Sequence, residues 1–147
     1  MKLNAVRRYR AQVEDLLRMD LLRARQNLQD AEAACLTLDA QARLTAERYM
    51  AKASTGIALE EFLEWQVTCD AEAAMLTQAL QAEGRCRDEW NQKQHDLRDA
   101  MQERRTLDRL AERLRQQQRV VQYRAEQIQM DESARRTSGM ASPYNSL

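Results

Sequence analysis

From Leu3 to Ala53 the chain runs without a single Gly or Pro, and Ala53-Ser54-Thr55-Gly56-Ile57-Ala58 is the only credible turn in the first 130 residues. A chain so poor in breakers has few ways to reverse direction, and that restricts its fold more than any other feature. Gly56 permits the positive φ a reversal requires. Ser54 or Thr55 is placed to cap a following helix whose first turns hold Glu60 and Glu61, well sited against the helix dipole. The pattern predicts one helix over about 3–53, a turn over 54–57 and a second helix over about 58–135. Gly84 falls inside the second helix, where it costs about 1 kcal/mol relative to Ala without ending it. From Thr137 to Leu147 the residues include Ser, Gly, Pro and Asn without periodicity, and this stretch reads as a flexible tail.

Composition agrees. Of the 147 residues 22 are Ala and 18 Leu, against five Val, two Ile and one Phe, which favours helices over sheets. Arg supplies 20 of the 23 basic charges and Gln adds 16 further long polar side chains, so the helices are solvated and a thick core is excluded. No run approaches the 18 or so apolar residues of a membrane span, and MKLNAVRRYR lacks the apolar stretch of a secretion signal. The chain therefore reads as cytoplasmic and soluble, reaching a membrane only through partners. Zero net charge argues against a general nucleic-acid binder. Cys35, Cys69 and Cys86 are odd in number and lack metal-ligand spacing, so they read as reduced.

Ala24, Leu28, Ala31, Cys35, Leu38, Ala42, Thr45 and Tyr49 keep a strict heptad seam. Upstream it continues through Leu3, Val6, Arg10, Val13, Leu17 and Leu21, with a stutter at Val13. A competing stripe runs through Leu36, Ala40 and Leu44. On the second helix the expected seam is Leu59, Phe62, Gln66, Cys69, Ala73, Leu76 and Leu80, followed by Trp90, Leu97, Met101, Leu107, Leu110, Leu114, Val121 and Ile128, with a register slip between Met101 and Leu107. Trp90 falls in this seam, whereas Trp65 lies beside it as a candidate tip contact. Two amphipathic helices joined by a short turn pack antiparallel, giving an all-α, two-helix coiled-coil hairpin. With Tyr49 opposite Phe62, paired positions add to about 111, no internal disulfide forms, and Arg109 to Arg135 overhangs by about 40 Å at 1.5 Å per residue. An uncovered apolar seam on that overhang implies a partner.

Neutrality hides a segregation. Residues 1–25 carry seven bases and three acids, and 98–124 carry eight bases and four acids; residues 26–97 carry six bases against thirteen acids. Any single Arg reads as part of a solvated coiled-coil face, but interspersed signs would serve solubility equally well. Segregation on this scale orients a protein between an acidic and a basic surface.

Catalytic patterns are absent: the sequence holds no Gly-rich phosphate loop, no HExxH, and no Ser or Cys with a plausible base. His95 sits on a polar helical segment and reads as a surface residue. Glu60, Glu61 and Glu64 lack a cleft, and dipole complementation explains them better than a metal. The chain is read as no enzyme, with no cofactor and no metal.

Gly56-Ile57-Ala58, the aromatic Phe62, the triplet Glu64-Trp65-Gln66, and Gln129-Met130-Asp131-Glu132 followed by a small residue and basic ones resemble the FliJ family over most of residues 3–136. That family comprises stalk components of flagellar type III protein export, with injectisome relatives of the YscO and HrpO type. The resemblance implies a hairpin similar to the γ-subunit stalk of rotary ATPases, with a longer C-terminal helix. It also implies that the end carrying both termini binds the hexameric export ATPase, that a surface toward the tip binds the inner-membrane export gate, and that export chaperones are escorted. By position, the gate face comprises Leu38, Ala42, Thr45 and Tyr49 with Thr68, Glu72, Met75 and Ala79, where Thr45 and Glu72 depart from the family's apolar pattern. The first four also lie in the seam read above.

The ATPase-contacting set joins both lines of reasoning: Leu110, Leu114, Val121 and Ile128, rimmed by Arg7, Arg8, Arg10, Arg104, Arg105, Arg109, Arg113 and Arg119. The competing readings are a coiled-coil scaffold or tether that homo-oligomerises through its overhangs, and a secretion-chaperone-like hairpin. An RNA-binding hairpin is also compatible with the Arg-rich end, although no aromatic stacking platform accompanies it.

Overall fold

The computed structural model describes residues 2–141, which form two helices: α1, Lys2–Thr55, and α2, Leu59–Ala141. The chain is all-α, as the composition requires. Gly56, at φ 87°, makes the reversal, its N–H donating to the Ala53 carbonyl at 3.2 Å. Ser54 and Thr55 do not cap α2. Their hydroxyls donate back to the carbonyls of Ala51 (2.7 Å) and Lys52 (2.9 Å), so they finish α1. Glu60 and Glu61 are the acids in the first turn of α2. The second helix runs past the expected end near Arg135 to Ala141; the rest of the expected tail, 142–147, lies outside the described residues.

The chain divides into two compact units. One comprises the α1 residues up to Tyr9 with the α2 residues from Gln102; the other is Arg10–Met101. Within the second unit the helices run antiparallel, as successive cross-helix contacts show: Lys52–Glu61 at 2.7 Å, Thr45–Glu72 at 2.8 Å, Glu32–Arg87 at 3.5 Å and Asp20–Lys93 at 3.9 Å. The first unit repeats the arrangement with Arg7 and Asp108, 3.0 Å apart.

These contacts correct the register. Tyr49 does meet Phe62, at 6.3 Å between ring centroids, but it lies equally near Trp65, at 6.1 Å. The polar pairs add to between 113 (Lys52 with Glu61, Asp20 with Lys93) and 119 (Glu32 with Arg87), about one helical turn beyond the expected 111. On α2 from Glu61 to Leu97 the half-buried positions are Glu61, Trp65, Cys69, Glu72, Leu76, Ala79, Ala82, Glu83, Cys86, Trp90, Lys93, Gln94, Asp96 and Leu97. Leu59, Phe62, Gln66, Ala73 and Leu80, expected in the seam, are exposed, and Trp65 is half-buried against Tyr49.

On α1 the expected seam from Leu17 to Tyr49 is covered, with Ala24, Leu28 and Cys35 fully buried and the competing stripe of Leu36 and Leu44 facing solvent. Upstream there is no stutter. Leu3, Arg7, Arg10 and Glu14 occupy the covered positions, so the heptad continues unbroken, while Val6 is exposed. Glu14, at 1% exposure, forms an ion pair with Arg18. In α2 Leu97, Ala100, Leu107 and Ala111 are covered in steps of three, seven and four; Arg104, the position between Ala100 and Leu107, is exposed, and Met101 is half-buried. In both helices long charged side chains fill seam positions, burying their aliphatic stems while their heads pair.

Cys35, Cys69 and Cys86 are free thiols. Burial pushes the Cys35 thiol up, and its hydrogen bond to the Glu83 carboxylate adds to the effect, so it stays protonated. Gly84 is helical, exposed and open to an added Cβ, with nothing within 4 Å. Gly84→Ala should therefore stabilise the chain by about 0.5–1 kcal/mol, seen as a higher melting temperature by circular dichroism with the helical signal unchanged.

Candidate partner-binding surfaces

In the first unit α1 covers α2 only as far as Ala111, which is buried at 7% exposure. Leu3, Asn4 and Arg7 border a notch of about 750 Å³ whose other wall is Ala111, Leu114, Arg115, Gln117, Gln118, Val121 and Gln122. Beyond it every residue from Glu112 to Gly139 is exposed. Arg109 and Leu110 thus precede the last covered residue, and the uncovered stretch begins at Glu112 rather than Arg109. From Glu112 to Gly139 that is about 42 Å of helix at 1.5 Å per residue. The heptad does not stop where its cover does: Leu107, Ala111, Leu114, Gln118, Val121, Ala125 and Ile128 keep alternating steps of four and three. Leu114 is 42% exposed, Val121 65% and Ile128 59%.

The sequence-derived arginines separate into groups. Arg7 is tied to Asp108, its Nε donating at 3.1 Å, and is half-buried. Arg10 belongs to the second unit, and it and Arg104 already have partners within the chain. Arg8, Arg105, Arg109, Arg113 and Arg119 are exposed, and among the described residues no carboxylate lies within ion-pairing reach of them. Sequence reasoning overlooked Ala111, which with the expected Leu3 closes the covered seam, and Val120 and Arg124, which with Arg113 and Val121 line a second depression of about 570 Å³. The available signal was the heptad itself, continued through small and polar residues.

The other candidate set lies in the second unit. Leu38, Ala42, Thr45 and Tyr49 are half-buried on the face that α2 covers. Thr45 Oγ1 donates to Glu72 Oε1, so the two departures from the family's apolar pattern satisfy each other. Ala79 is half-buried in the same seam, whereas Thr68, whose hydroxyl donates to the Glu64 carbonyl, and Met75 are exposed. Across the mouth of the turn Lys52 holds the Glu61 carboxyl below its usual range, with a further hydrogen bond from Trp65. His95 is exposed beside Asp99 at 3.4 Å. Among the described residues no group of His, Cys, Asp and Glu could hold a metal ion, and no helix is long and apolar enough to cross a membrane.

An unbroken two-helix heptad with an uncovered extension is the architecture to set beside known families, and one family model matches nearly the whole of it: that described as flagellar FliJ protein, over residues 1–141. The chain belongs to the FliJ family. Searches of curated proteins and of solved structures found no match. Membership assigns this FliJ-family chain a stalk-type role in the flagellar-type export apparatus, where the family serves as a non-catalytic structural component. For a FliJ-family chain the exposed heptad past Ala111 is the feature that most needs a partner.

Proposed function

We propose that the protein is a non-catalytic central stalk of a type III export apparatus, flagellar or injectisome, that binds the hexameric export ATPase through its first unit and the inner-membrane export gate through its second. The observation that carries this reading is the heptad of α2 continuing to Ile128, about 25 Å beyond its α1 cover, with Leu114, Val121 and Ile128 exposed and unpaired arginines beside them. A single helix of this width suits entry into a narrow ring, and the basic rim suits an acidic entrance. Asymmetric contact of one helix with a six-fold ring biases its subunits differently, and that bias would assist assembly, ATP turnover or coupling to export. On this reading the protein is cytoplasmic, meets the inner membrane only through the gate, and escorts export chaperones as its family does.

Charge reversal tests the ATPase contact. Arg105→Glu, Arg109→Glu and Arg113→Glu together should weaken binding to the cognate hexamer at least tenfold and abolish any stimulation of its ATPase rate, with the melting temperature preserved. Unchanged binding and turnover would overturn the assignment. The same exposed seam also suits pairing with a second copy, the scaffold reading. Light scattering separates the two, because a monomer fits the stalk and a stable dimer or tetramer fits the scaffold.

A further inference from the structure

The seam of the second unit uses one face of α2, which leaves its opposite face at the turn with an apolar row of its own. Glu61, Trp65 and Cys69 point at α1. Leu59, Leu63 and Val67, spaced by four, fall on the far side of the helix and are 72%, 53% and 69% exposed. Together they form a ridge about 12 Å long at 1.5 Å per residue, which Asp70 ends. Glu60 and Glu64 occupy one shoulder, and among the described residues neither they nor Asp70 pairs with a cation. Glu61, by contrast, is held by Lys52 and takes no part in the outer face. Dipole complementation at the start of α2 accounts for acids in its first turn; it accounts neither for Glu64 nor Asp70, nor for three large apolar residues in one uncovered row.

Four of the positions inherited for gate binding, Leu38, Ala42, Thr45 and Tyr49, are already occupied by α2. They are half-buried, so a partner there meets only their outer edges. The outer row is more than half exposed at every position. We propose that Leu59, Leu63 and Val67, with Glu60 and Glu64 beside them, form the docking ridge for the export gate. The partner surface would be a helix presenting apolar residues at i and i+4 with Lys or Arg along one edge. The inference rests on the gate reading above and replaces its contact residues. Charge selects the occupant: unpaired carboxylates flank the ridge and residues 26–97 carry seven more acids than bases, which favours a basic protein surface and opposes an anionic membrane.

The test uses the full chain and the isolated cytoplasmic domain of the cognate gate protein, with affinity measured by calorimetry across a salt series. Leu63→Glu with Val67→Glu should weaken binding at least tenfold while the helical signal and melting temperature hold, since both side chains are exposed. Glu60→Lys with Glu64→Lys should weaken binding less and flatten its salt dependence. Thr45→Val, a change inside the covered seam, should leave affinity within twofold. If the gate domain binds the Leu63/Val67 variant as tightly as wild type, the ridge is wrong and the gate reading stands. If wild type shows no binding to the gate domain, the gate reading itself falls and the ridge with it. Binding of wild type to anionic vesicles that the Leu63/Val67 variant loses would also overturn the assignment, by giving the ridge a lipid occupant.

Discussion

Replacing Leu114 and Val121 together by Glu should lower affinity for the cognate ATPase hexamer about 100-fold, while leaving the melting of the second unit where it is. The magnitude follows from position. Both residues continue the α2 heptad immediately past the last covered residue, Ala111, and both border the notch at the start of α1. In a stalk seated in a ring such residues become central and desolvated, where apolar anchors carry most of the binding free energy, of order 2 kcal/mol or more for a dominant contact. Two carboxylates there lose that burial and must also be desolvated themselves. Because both side chains are 42% exposed or more in the free chain, stability barely changes. Equilibrium binding of the full chain, followed by fluorescence anisotropy, decides the matter: a loss below threefold would remove the overhang from the interface.

The largest effect on folding should come from Trp65→Ala, which we expect to cost about 2–3 kcal/mol, near the lower end for deleting a large aromatic because Trp65 is only half-buried. For a unit of this size that lowers the melting temperature by roughly 10 °C or more. Its ring packs 6.1 Å from that of Tyr49 and its indole helps hold the Glu61 carboxyl, so the substitution empties the last aromatic layer before the turn. Phe62→Ala is the informative comparison. Phe62 also contacts Tyr49, at 6.3 Å, yet is exposed, and its loss should cost less than half as much. Equal or greater destabilisation by Phe62→Ala would mean that the helices pair in the register one turn earlier, with Phe62 in the seam. Thermal melts of both variants by circular dichroism separate the two registers.

Those two variants bear on why the register was hard to read. Near the turn α2 offers apolar rows on more than one side: Leu59, Leu63 and Val67 on one, Phe62 and Leu80 on another, and Trp65, Cys69, Leu76 and Ala79 on a third. A search for apolar spacing has no basis for choosing among them, and it passes over the chosen one because Glu61, Glu72 and Glu83 interrupt it. The same happens in α1, where Arg7, Arg10 and Glu14 hold heptad positions and the more hydrophobic Val6 and Val13 suggest a stutter that does not exist. Charged seam residues are tolerated because the heads are paired: Arg7 with Asp108, Glu14 with Arg18, Thr45 with Glu72, Lys52 with Glu61. Polar residues at such positions cost stability and select one register over its neighbours.

For the partner surfaces the division is similar. The overhang was legible, because the unequal lengths of the two helical segments require it whatever the register. Its boundary was not, since a shift of about one turn moves Arg109 and Leu110 back beside the covered stretch. Of the inherited gate positions, Leu38, Ala42, Thr45 and Tyr49 on α1 were placed by resemblance, and their partial cover by α2 became visible only with the pairing in hand.

The sequence by itself determined the class of fold, the two long helices, the reversal at Gly56, the persistence of helix after α1 has ended, and the separation of basic from acidic stretches. These are local properties, set by helix propensity, by the rarity of Gly and Pro, and by simple counting along the chain. Only the tertiary structure decided which face of α2 meets α1, which charges lie in the seam, and therefore which apolar rows are left for partners. That choice depends on the summed fit of Trp65 against Tyr49 and of each buried charge with its counterpart, a comparison between whole registers that no single stretch of sequence contains.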